Sequence, residues 1–458
     1  MVAAPPILIV GGGMAGLSAA YELLQQRVPF LLLEAGPRIG GVVLSERVGP
    51  FTVDAGPDSL LVQKPEAIKL CQELGLGARL VPTKLPRIAY IQRGGRLHAL
   101  PAASVLGIPT AWGPFIRTSL FSLPGKLRMG AEMFVPPRRD DGDESIGAFM
   151  RRRFGSEATT YLAEPLLAGI HAGDVDRLSV RALFPRLRET EQRFGSLLRA
   201  FRSQPRPASP DGAFRSLPGG LSELTDALAA MLPRQAVRVD TPVTRVWRDD
   251  QGWHVECAGG ERQSARGVIL AAPAHAAAAL LRQSAPGVAR LCAEVPYASV
   301  ATVAFAFARA SVSHPLNGSG FVVPRVEGTG ILAGSWLSSK WPHRAPDGHV
   351  LLRAFLGGAR DPEALDRSDA QLVSTGLRAM APLLGITGDP LFTRVYRWER
   401  ANAQHEVGHL ERVDAIEREL ATRPGLWVTG SGFRGVGVPD CVADGRAVAR
   451  RAADWMRE

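Results

Sequence analysis

The sequence predicts an α/β protein, α+β overall. A parallel α/β lobe is assembled from both ends of the chain, a second lobe is built on a mixed, largely antiparallel sheet, and a helical lobe lies between them. Three observations predict this. The first forty residues run apolar segment, glycine turn, helix former, apolar segment, and the end of the chain returns to strand, glycine turn and helix. Strand-like segments cluster between residues 237 and 356. Residues 84–210 are rich in Pro and Arg and read as helical and irregular.

Taken in order, residues 6–10 (Pro-Ile-Leu-Ile-Val) form a short all-apolar run of the kind buried on both faces of a parallel sheet. Residues 11–16 (Gly-Gly-Gly-Met-Ala-Gly) make a tight turn, residues 17–26 favour a helix, and residues 30–33 (Phe-Leu-Leu-Leu) form a second strand ending at Glu34. Residues 144–153 read as an amphipathic helix, and residues 203–212 (SQPRPASPDG) as the clearest linker. A helix is expected over 219–232 and strands over 237–246, 253–257 and 267–272. Further strands are expected over 299–308, 320–324, 330–335 and 349–356, followed by a helix over 370–384. Strand 426–429, a glycine turn and a helix over 440–456 close the chain. The implied division places 1–83, 211–298 and 396–458 in the first lobe, 84–210 in the helical lobe and 299–395 in the sheet domain.

Hydrophobic residues make up 46% and charged residues 21% of the 458, an ordinary globular composition with room for two or three lobes. The net charge of +10 is unevenly spread: residues 84–139 hold nine Lys or Arg and a single acid, Glu132. Apolar between its charges, that stretch suits an anionic membrane surface or ligand better than nucleic acid. The four cysteines (Cys71, Cys257, Cys292, Cys441) lie far apart with no His at ligand spacing, which argues against a disulfide scaffold or a metal site and for a reducing compartment. No basic segment precedes the apolar run at 7–10, as a signal peptide would require, and the longest charge-free run in the basic stretch, 97–116, is broken by Pro101, Pro109 and Pro114. The expectation is a peripheral protein on the cytoplasmic side of the membrane, without a spanning helix.

Gly11-x-Gly13-x-x-Gly16 follows a strand, opens a helix and has Glu34 eighteen residues beyond Gly16. Gly11 permits the turn, Gly13 admits a pyrophosphate to the backbone, and Gly16 lets helix and strand pack closely. The helix N-terminus offers free N–H groups to phosphate. Glu34 is placed to accept ribose hydroxyls, and its charge would repel a 2′-phosphate. The pattern points to a dinucleotide.

Glu34-x-x-x-Arg38-x-Gly40-Gly41 resembles the second glycine motif of the flavin-dependent amine oxidase superfamily, in which this segment wraps the pyrophosphate and ribose of FAD. Residues 430–440 (Gly-Ser-Gly-Phe-Arg-Gly-Val-Gly-Val-Pro-Asp) also follow a strand and enter a helix, but the sequence ends at Glu458, too soon after Gly435 for a second nucleotide unit. This turn is expected to aim a helix N-terminus at the flavin ring. Residues 169–179 (GIHAGDVDRLS), 97–101 (LHALP), 396–401 (YRWERA) and 435–441 (GVGVPDC) resemble the oxygen-dependent protoporphyrinogen oxidases, FAD enzymes of haem synthesis, in the same order along nearly the whole chain.

That resemblance implies one non-covalent FAD held by Gly11, Gly12, Gly13, Met14, Ala15 and Gly16, by Glu34 and Ala35, and by Arg38, Gly40, Gly41 and Val42. Gly56, Pro57, Asp58 and Ser59 should join them, with Val243, Trp398, Val436, Gly437 and Val438; Val243 and Trp398 otherwise read as core residues. Arg87 aligns with an arginine that holds a substrate propionate through paired hydrogen bonds. Gly169 should lie over the flavin face, while Val322 and Phe355 match pocket-lining positions and read equally well as interior sheet residues. The chain departs from the family at His171, where an aromatic residue is usual, and at Ala403-Gln404-His405, where a Pro-Gln-Tyr-like run is usual. His171 reads as a satisfied loop histidine rather than a base. No side chain is assigned a catalytic role and no metal is expected.

The implied reaction is oxidation of protoporphyrinogen IX to protoporphyrin IX, with molecular oxygen as electron acceptor and hydrogen peroxide released. The flavin performs the chemistry and the protein supplies orientation, carboxylate anchoring and a dry slot. Oxidation of coproporphyrinogen III to coproporphyrin III is the alternative, since it differs only in needing further cations for its extra propionates. An amine or carotenoid oxidase is a third reading, weakened by only five Tyr and none beside the C-terminal turn. A porphyrinogen substrate and an anionic membrane are the expected partners and nucleic acid is not; a homodimer or a ferrochelatase contact is compatible with the same resemblance.

Overall fold

The computed structural model describes residues 5–101, 104–203 and 211–457. Most of the expected linker, residues 204–210, lies outside the described residues. A parallel sheet of five strands forms the first lobe in the spatial order Val237–Arg238, Phe30–Leu33, Ile7–Val10, Gly267–Leu270, Leu426–Val428. Numbered along the chain, this is the doubly wound order 3-2-1-4-5. Alternate residues of the opening strand point to opposite faces. Leu8 and Val10 meet the helices Ala274–Leu281 and Pro286–Ala293, and Ile7 and Ile9 meet Met14–Gln25, Ser222–Met231 and Val438–Arg457. Burial on both faces is why these strands read as unbroken apolar runs.

The expected strand 237–246 is two strands in different sheets. Val237–Arg238 completes the parallel sheet, whereas Val243–Asp249 starts an antiparallel meander with Gly252–Cys257 and Arg262–Ala265. Asp240, at φ +48°, turns the chain between them.

The second lobe is a mixed sheet of seven strands in the order Phe392–Ala403, Tyr297–Ala308, His349–Gly357, Ala333–Ser335, Gly320–Val322, Ala89–Arg93, Arg96–Ala99. Every pairing is antiparallel except Gly320–Val322 with Ala89–Arg93. The expected antiparallel character holds, with one correction: two strands come from the stretch read as helical. Ile91, buried in that parallel pairing, packs into the helical lobe's core, so the sheet edge serves two lobes. The last strand, Phe392–Ala403, runs across the division expected at 395/396.

The helical lobe packs Ile146–Phe154, capped by Ser145, against the π-helical segment Thr159–Ala168 and the helices Pro185–Phe194 and Leu197–Ser203. Its polar centre is Arg153, fully buried, whose guanidinium contacts Glu132 and Glu191 and donates to the Val135 and Gly195 carbonyls. The helix Asp369–Leu384, opened by a Ser368/Gln371 capping box, covers the outer face of the mixed sheet. Among the described residues no helix is long and apolar enough to cross a membrane.

Candidate functional site

The first glycine turn is built by close contact. Gly11 has φ +109°, and a Cβ on Gly16 would lie 1.9 Å from the Gly11 carbonyl oxygen, so the first turn of the helix rests directly on the strand end. Gly13 differs: a Cβ there would meet nothing within 4 Å. Met14–Gln25 starts behind it with neither a side-chain cap nor an acid in its first turn. Unsatisfied N–H groups facing open space fit a pyrophosphate.

Glu34 accepts from the Gly12 N–H at 2.6 Å and the Gly36 N–H at 2.8 Å, which sets its carboxylate beside the turn, with Ala35 exposed next to it. Gly40 N–H donates to the Gly12 carbonyl at 2.8 Å, and Arg38 folds back to donate to the Gly41 carbonyl at 2.6 Å. The second glycine motif is thereby fastened to the first, leaving Val42 exposed.

Residues 56–59 dock from the other side. A Cβ on Gly56 would lie 1.9 Å from the Val42 carbonyl oxygen. Trp398 Nε1 donates to the Ala55 carbonyl at 3.1 Å, and Arg353 donates to the Gly56 carbonyl at 2.7 Å. Asp58 keeps its buried carboxylate between Lys340 at 2.9 Å and Arg353 at 3.1 Å, with Ser59 donating at 2.9 Å. Burial opposes its ionisation, but the two cations and their hydrogen bonds prevail and hold the carboxyl well below the usual range. Through this pairing the Asp58 side chain locks the 56–59 loop, expected to contact the cofactor, to the mixed sheet.

The C-terminal turn completes the cradle. The position of a Cβ on Gly430 is 3.9 Å from Ala15 Cβ, so turns from opposite ends of the chain lie side by side. Asp444 accepts from Thr429 Oγ1 at 2.6 Å and pairs with Arg434 at 2.9 Å. Val438 opens the helix Val438–Arg457 directly after Val436 and Gly437, and Asp440 in its first turn receives Lys64 at 2.7 Å. Val243 packs half-buried against the meander-side core.

On the expected substrate side, the mixed sheet aligns two of the four candidates, Val322 and Phe355, through Ala333 between them. Phe355 pairs with Thr302 and Ala333 and packs with Ala172, Val300 and Leu332, while the Arg353 guanidinium lies 4.6 Å from its ring. Ala172, in the 169–173 segment, accepts from the Ala359 N–H at 2.8 Å. Arg360 pairs with Glu164 at 2.7 Å and donates to the Val323 carbonyl at 2.6 Å, beside Gly169 and Val322. Arg87 stands on the loop entering this sheet, its Nε donating to the Thr83 carbonyl at 3.1 Å. A surface groove of about 650 Å³ along Asp369–Leu384, lined by Gly328, Asp361, Arg367 and Arg378, includes none of these residues.

Lys64, Lys340, Arg353 and Arg360 escaped the sequence reading, and Gln404 was noted only as a departure from the family. Each reaches a partner in a distant part of the chain, Lys64 on Asp440, Lys340 and Arg353 on Asp58, Arg360 on Glu164 and Gln404 on the His171 carbonyl, so no local spacing marks them.

Three histidines are held neutral. Burial, with the Lys64 charge nearby, pushes His171 down to about 4; burial and His409 push His405 down to about 3; burial lowers His409. Unfolded histidine titrates near ~6.5. A lowered folded value means the unfolded chain takes up protons first, so stability is intact above ~6.5 and falls as the pH drops toward the folded values. His405, buried, should remove on the order of 1 kcal/mol per pH unit in that interval, and His409, also lowered by burial, adds to the same loss. Melting curves from pH 7 to about 4 should show Tm falling steeply below ~6, and replacement of both histidines should flatten the slope.

Comparison with known proteins agrees with this architecture. The family model for flavin containing amine oxidoreductase matches residues 14–453. The coproporphyrinogen III oxidase of Bacillus subtilis is 36% identical over 464 residues, covering 98% of each chain. The mitochondrial protoporphyrinogen oxidase of Nicotiana tabacum is 27% identical, covering 96% of this chain and 93% of the other. A crystal structure from Exiguobacterium sp., described as a candidate protoporphyrinogen oxidase, superposes with a TM-score of 0.89 at 32% identity over the whole of both chains. Clasped glycine turns from both chain ends and a family match along nearly the full length lead to one assignment: the chain belongs to the flavin containing amine oxidoreductase family and is an FAD flavoprotein oxidoreductase.

Proposed function

We propose that the protein oxidises coproporphyrinogen III to coproporphyrin III, with molecular oxygen as the final electron acceptor. The observation that carries this reading is full-length similarity at 34–36% identity to coproporphyrinogen III oxidases of Bacillus subtilis, Staphylococcus aureus and Propionibacterium freudenreichii, against 27% to a protoporphyrinogen oxidase. The protoporphyrinogen expectation therefore yields to its alternative. FAD, when bound, supplies the hydride acceptor for a bridging methylene of the porphyrinogen.

The chain's own residues bind, orient and keep water out. The uncapped helix behind Gly13 and the carboxylate of Glu34 hold the cofactor's two polar parts. Phe355, Val322 and Gly169 form an apolar wall for a flat macrocycle. Arg87 anchors one propionate through paired hydrogen bonds.

The test is an anaerobic bleaching assay of the bound flavin with coproporphyrinogen III, protoporphyrinogen IX and benzylamine side by side. Coproporphyrinogen III should bleach fastest and benzylamine not at all; faster bleaching by protoporphyrinogen IX reverses the assignment. In the same assay Arg87→Ala should raise the porphyrinogen concentration that gives half-maximal bleaching rate by about ten- to a hundredfold, the worth of a hydrogen bond to a charged group.

The basic stretch supports a membrane role for this enzyme. Ile116, Leu123, Leu127 and Phe134 are each at least 65% exposed on the short helices Trp112–Arg117, Leu123–Gly130 and Ala131–Phe134, with Arg117 exposed among them. Inserting such side chains into the headgroup region gains about 1.5–3 kcal/mol each when complete, and cations attract anionic lipid. The protein should sediment with phosphatidylserine-containing vesicles at low salt, and Leu123→Asp/Leu127→Asp should abolish this. Failure of the unaltered protein to sediment removes the membrane role and leaves the oxidase reading intact.

A further inference from the structure

The two places where the chain departs from its resemblance, His171 and 403–405, are one assembly. Gln404 Nε2 donates to the His171 carbonyl at 3.0 Å, and the Ser179 N–H donates to the His405 carbonyl at 2.9 Å, which ties the strap to the helical lobe. From the same strap, His405 Nε2 lies 2.9 Å from the Ser431 carbonyl oxygen and His409 Nε2 lies 2.8 Å from that of Phe433. The rings stack with centroids 3.7 Å apart and planes 12° from parallel. Both are buried, and His409 Nδ1 has no hydrogen-bond partner among the described residues.

A carbonyl oxygen only accepts, so both rings must carry their hydrogen on Nε2. Two imidazolium ions stacked in a buried site would repel, which favours the neutral pair. Lys64 and the neutral His171 face His405 and Arg412 faces His409; the Lys64 and Arg412 charges add positive potential that Asp143 and Glu411 offset at His409. Plain packing would be served by two apolar rings without the cost of burying polar nitrogens. Here both nitrogens are committed to one turn, residues 430–435, whose other end Asp444 already holds.

We propose that His405 and His409 are positioning residues: by donating to Ser431 and Phe433 they set the 430–435 turn, and with it the N-terminus of Val438–Arg457, against the flavin, and through Gln404 they keep it in register with the 169–173 segment. This rests on the flavin-facing reading of that turn. A helix N-terminus favours negative charge, so a displaced turn weakens binding of reduced flavin more than of oxidised flavin.

The experiment measures affinity for oxidised and reduced FAD in the full chain and in His405→Phe, His409→Phe and His405→Gln. The Phe variants keep a ring in the stack and lose the donor. They should change the ratio of the two affinities at least fivefold, read as a shift in midpoint potential, while a merely structural loosening weakens both forms alike. His405→Gln, which retains an Nε2 donor, should restore at least half of the change. A folded Phe variant with an unaltered ratio overturns the proposal. Should the Phe variants fail to fold, ¹⁵N NMR of the unaltered holoenzyme at pH 6 decides: both imidazoles neutral with hydrogen on Nε2 supports it, and any other state overturns it. An unaltered chain that takes up no FAD defeats the flavin reading itself, and this proposal with it, whereas normal uptake with an unaltered ratio defeats the proposal alone.

Discussion

Gly16→Ala should yield a chain that fails to retain flavin and is destabilised by at least about 3 kcal/mol. The added methyl would sit 1.9 Å from the Gly11 carbonyl oxygen and 3.2 Å from Ala271 Cβ, and neither backbone nor a β-carbon can swing away. The strand end and the helix must separate, and the turn between them loses its shape. Gly13→Val tests the other half of the argument. Its Cβ meets no protein atom within 4 Å and its φ of −72° suits any residue, so the apoprotein should melt within about 2 °C of the parent. The same side chain occupies the space in front of the helix N-terminus, so FAD affinity should fall by about a hundredfold or more. Tm of the apoprotein and visible flavin absorbance after gel filtration separate the two effects. Undiminished flavin in Gly13→Val would mean the pyrophosphate does not lie there.

Arg344→Met carries the second large effect. Arg344 and Asp54 are both fully buried and paired at 2.8 Å. The guanidinium also donates to the Leu217 and Pro218 carbonyls at 3.0 and 2.9 Å and to Ser216 Oγ at 2.9 Å. Removing the cation leaves a carboxylate and two carbonyls in a dry site, a loss of about 3–5 kcal/mol. Adding Asp54→Leu should recover part of that loss, because removing both charges also removes the cost of burying them. The consequence reaches the cofactor cradle, since Asp54 ends the strand Phe51–Asp54 and its carbonyl accepts from Arg353 just before Gly56. Thermal melts of the single and double variants, with flavin retention measured alongside, check both parts. A single variant as stable as the parent would show that water reaches Asp54 and that the pair holds nothing together.

Much of the nucleotide lobe was legible because its determinants are local. The glycine spacing of residues 11–16, the apolar runs at 7–10 and 30–33 and the acid at Glu34 lie within one βαβ unit, and pattern and physics coincide there. The final turn and helix were legible for the same reason. Errors arose where a residue's partner is remote. Residues 237–246 are one apolar-patterned stretch in sequence, yet Asp240 turns the chain and delivers its halves to two sheets. Residues 89–93 and 96–99 sit among Pro and Arg, and the hairpin they make joins the mixed sheet only through Gly320–Val322, which no nearby pattern announces. The pairing of the Asp58 carboxylate with Lys340 and Arg353 was equally hidden, because both cations come from the mixed-sheet lobe, far along the chain.

By itself, then, the sequence determined that the first lobe grips a dinucleotide, because phosphate recognition by a helix N-terminus needs only a short run of small residues in a set order, and its resemblances pointed to the family. Only the tertiary structure decided which charges are free to meet a substrate and which are neutralised inside the protein. Of the 49 arginines, Arg153, Arg344 and Arg353 are buried against carboxylates, and Arg360, also largely buried, is paired with Glu164. No local pattern distinguishes them, since an ion pair is set by distance in space and desolvation by everything packed around it. The same holds for the stacked histidines, whose acceptors are backbone carbonyls in a turn that the chain reaches only after another helix and strand have been laid down.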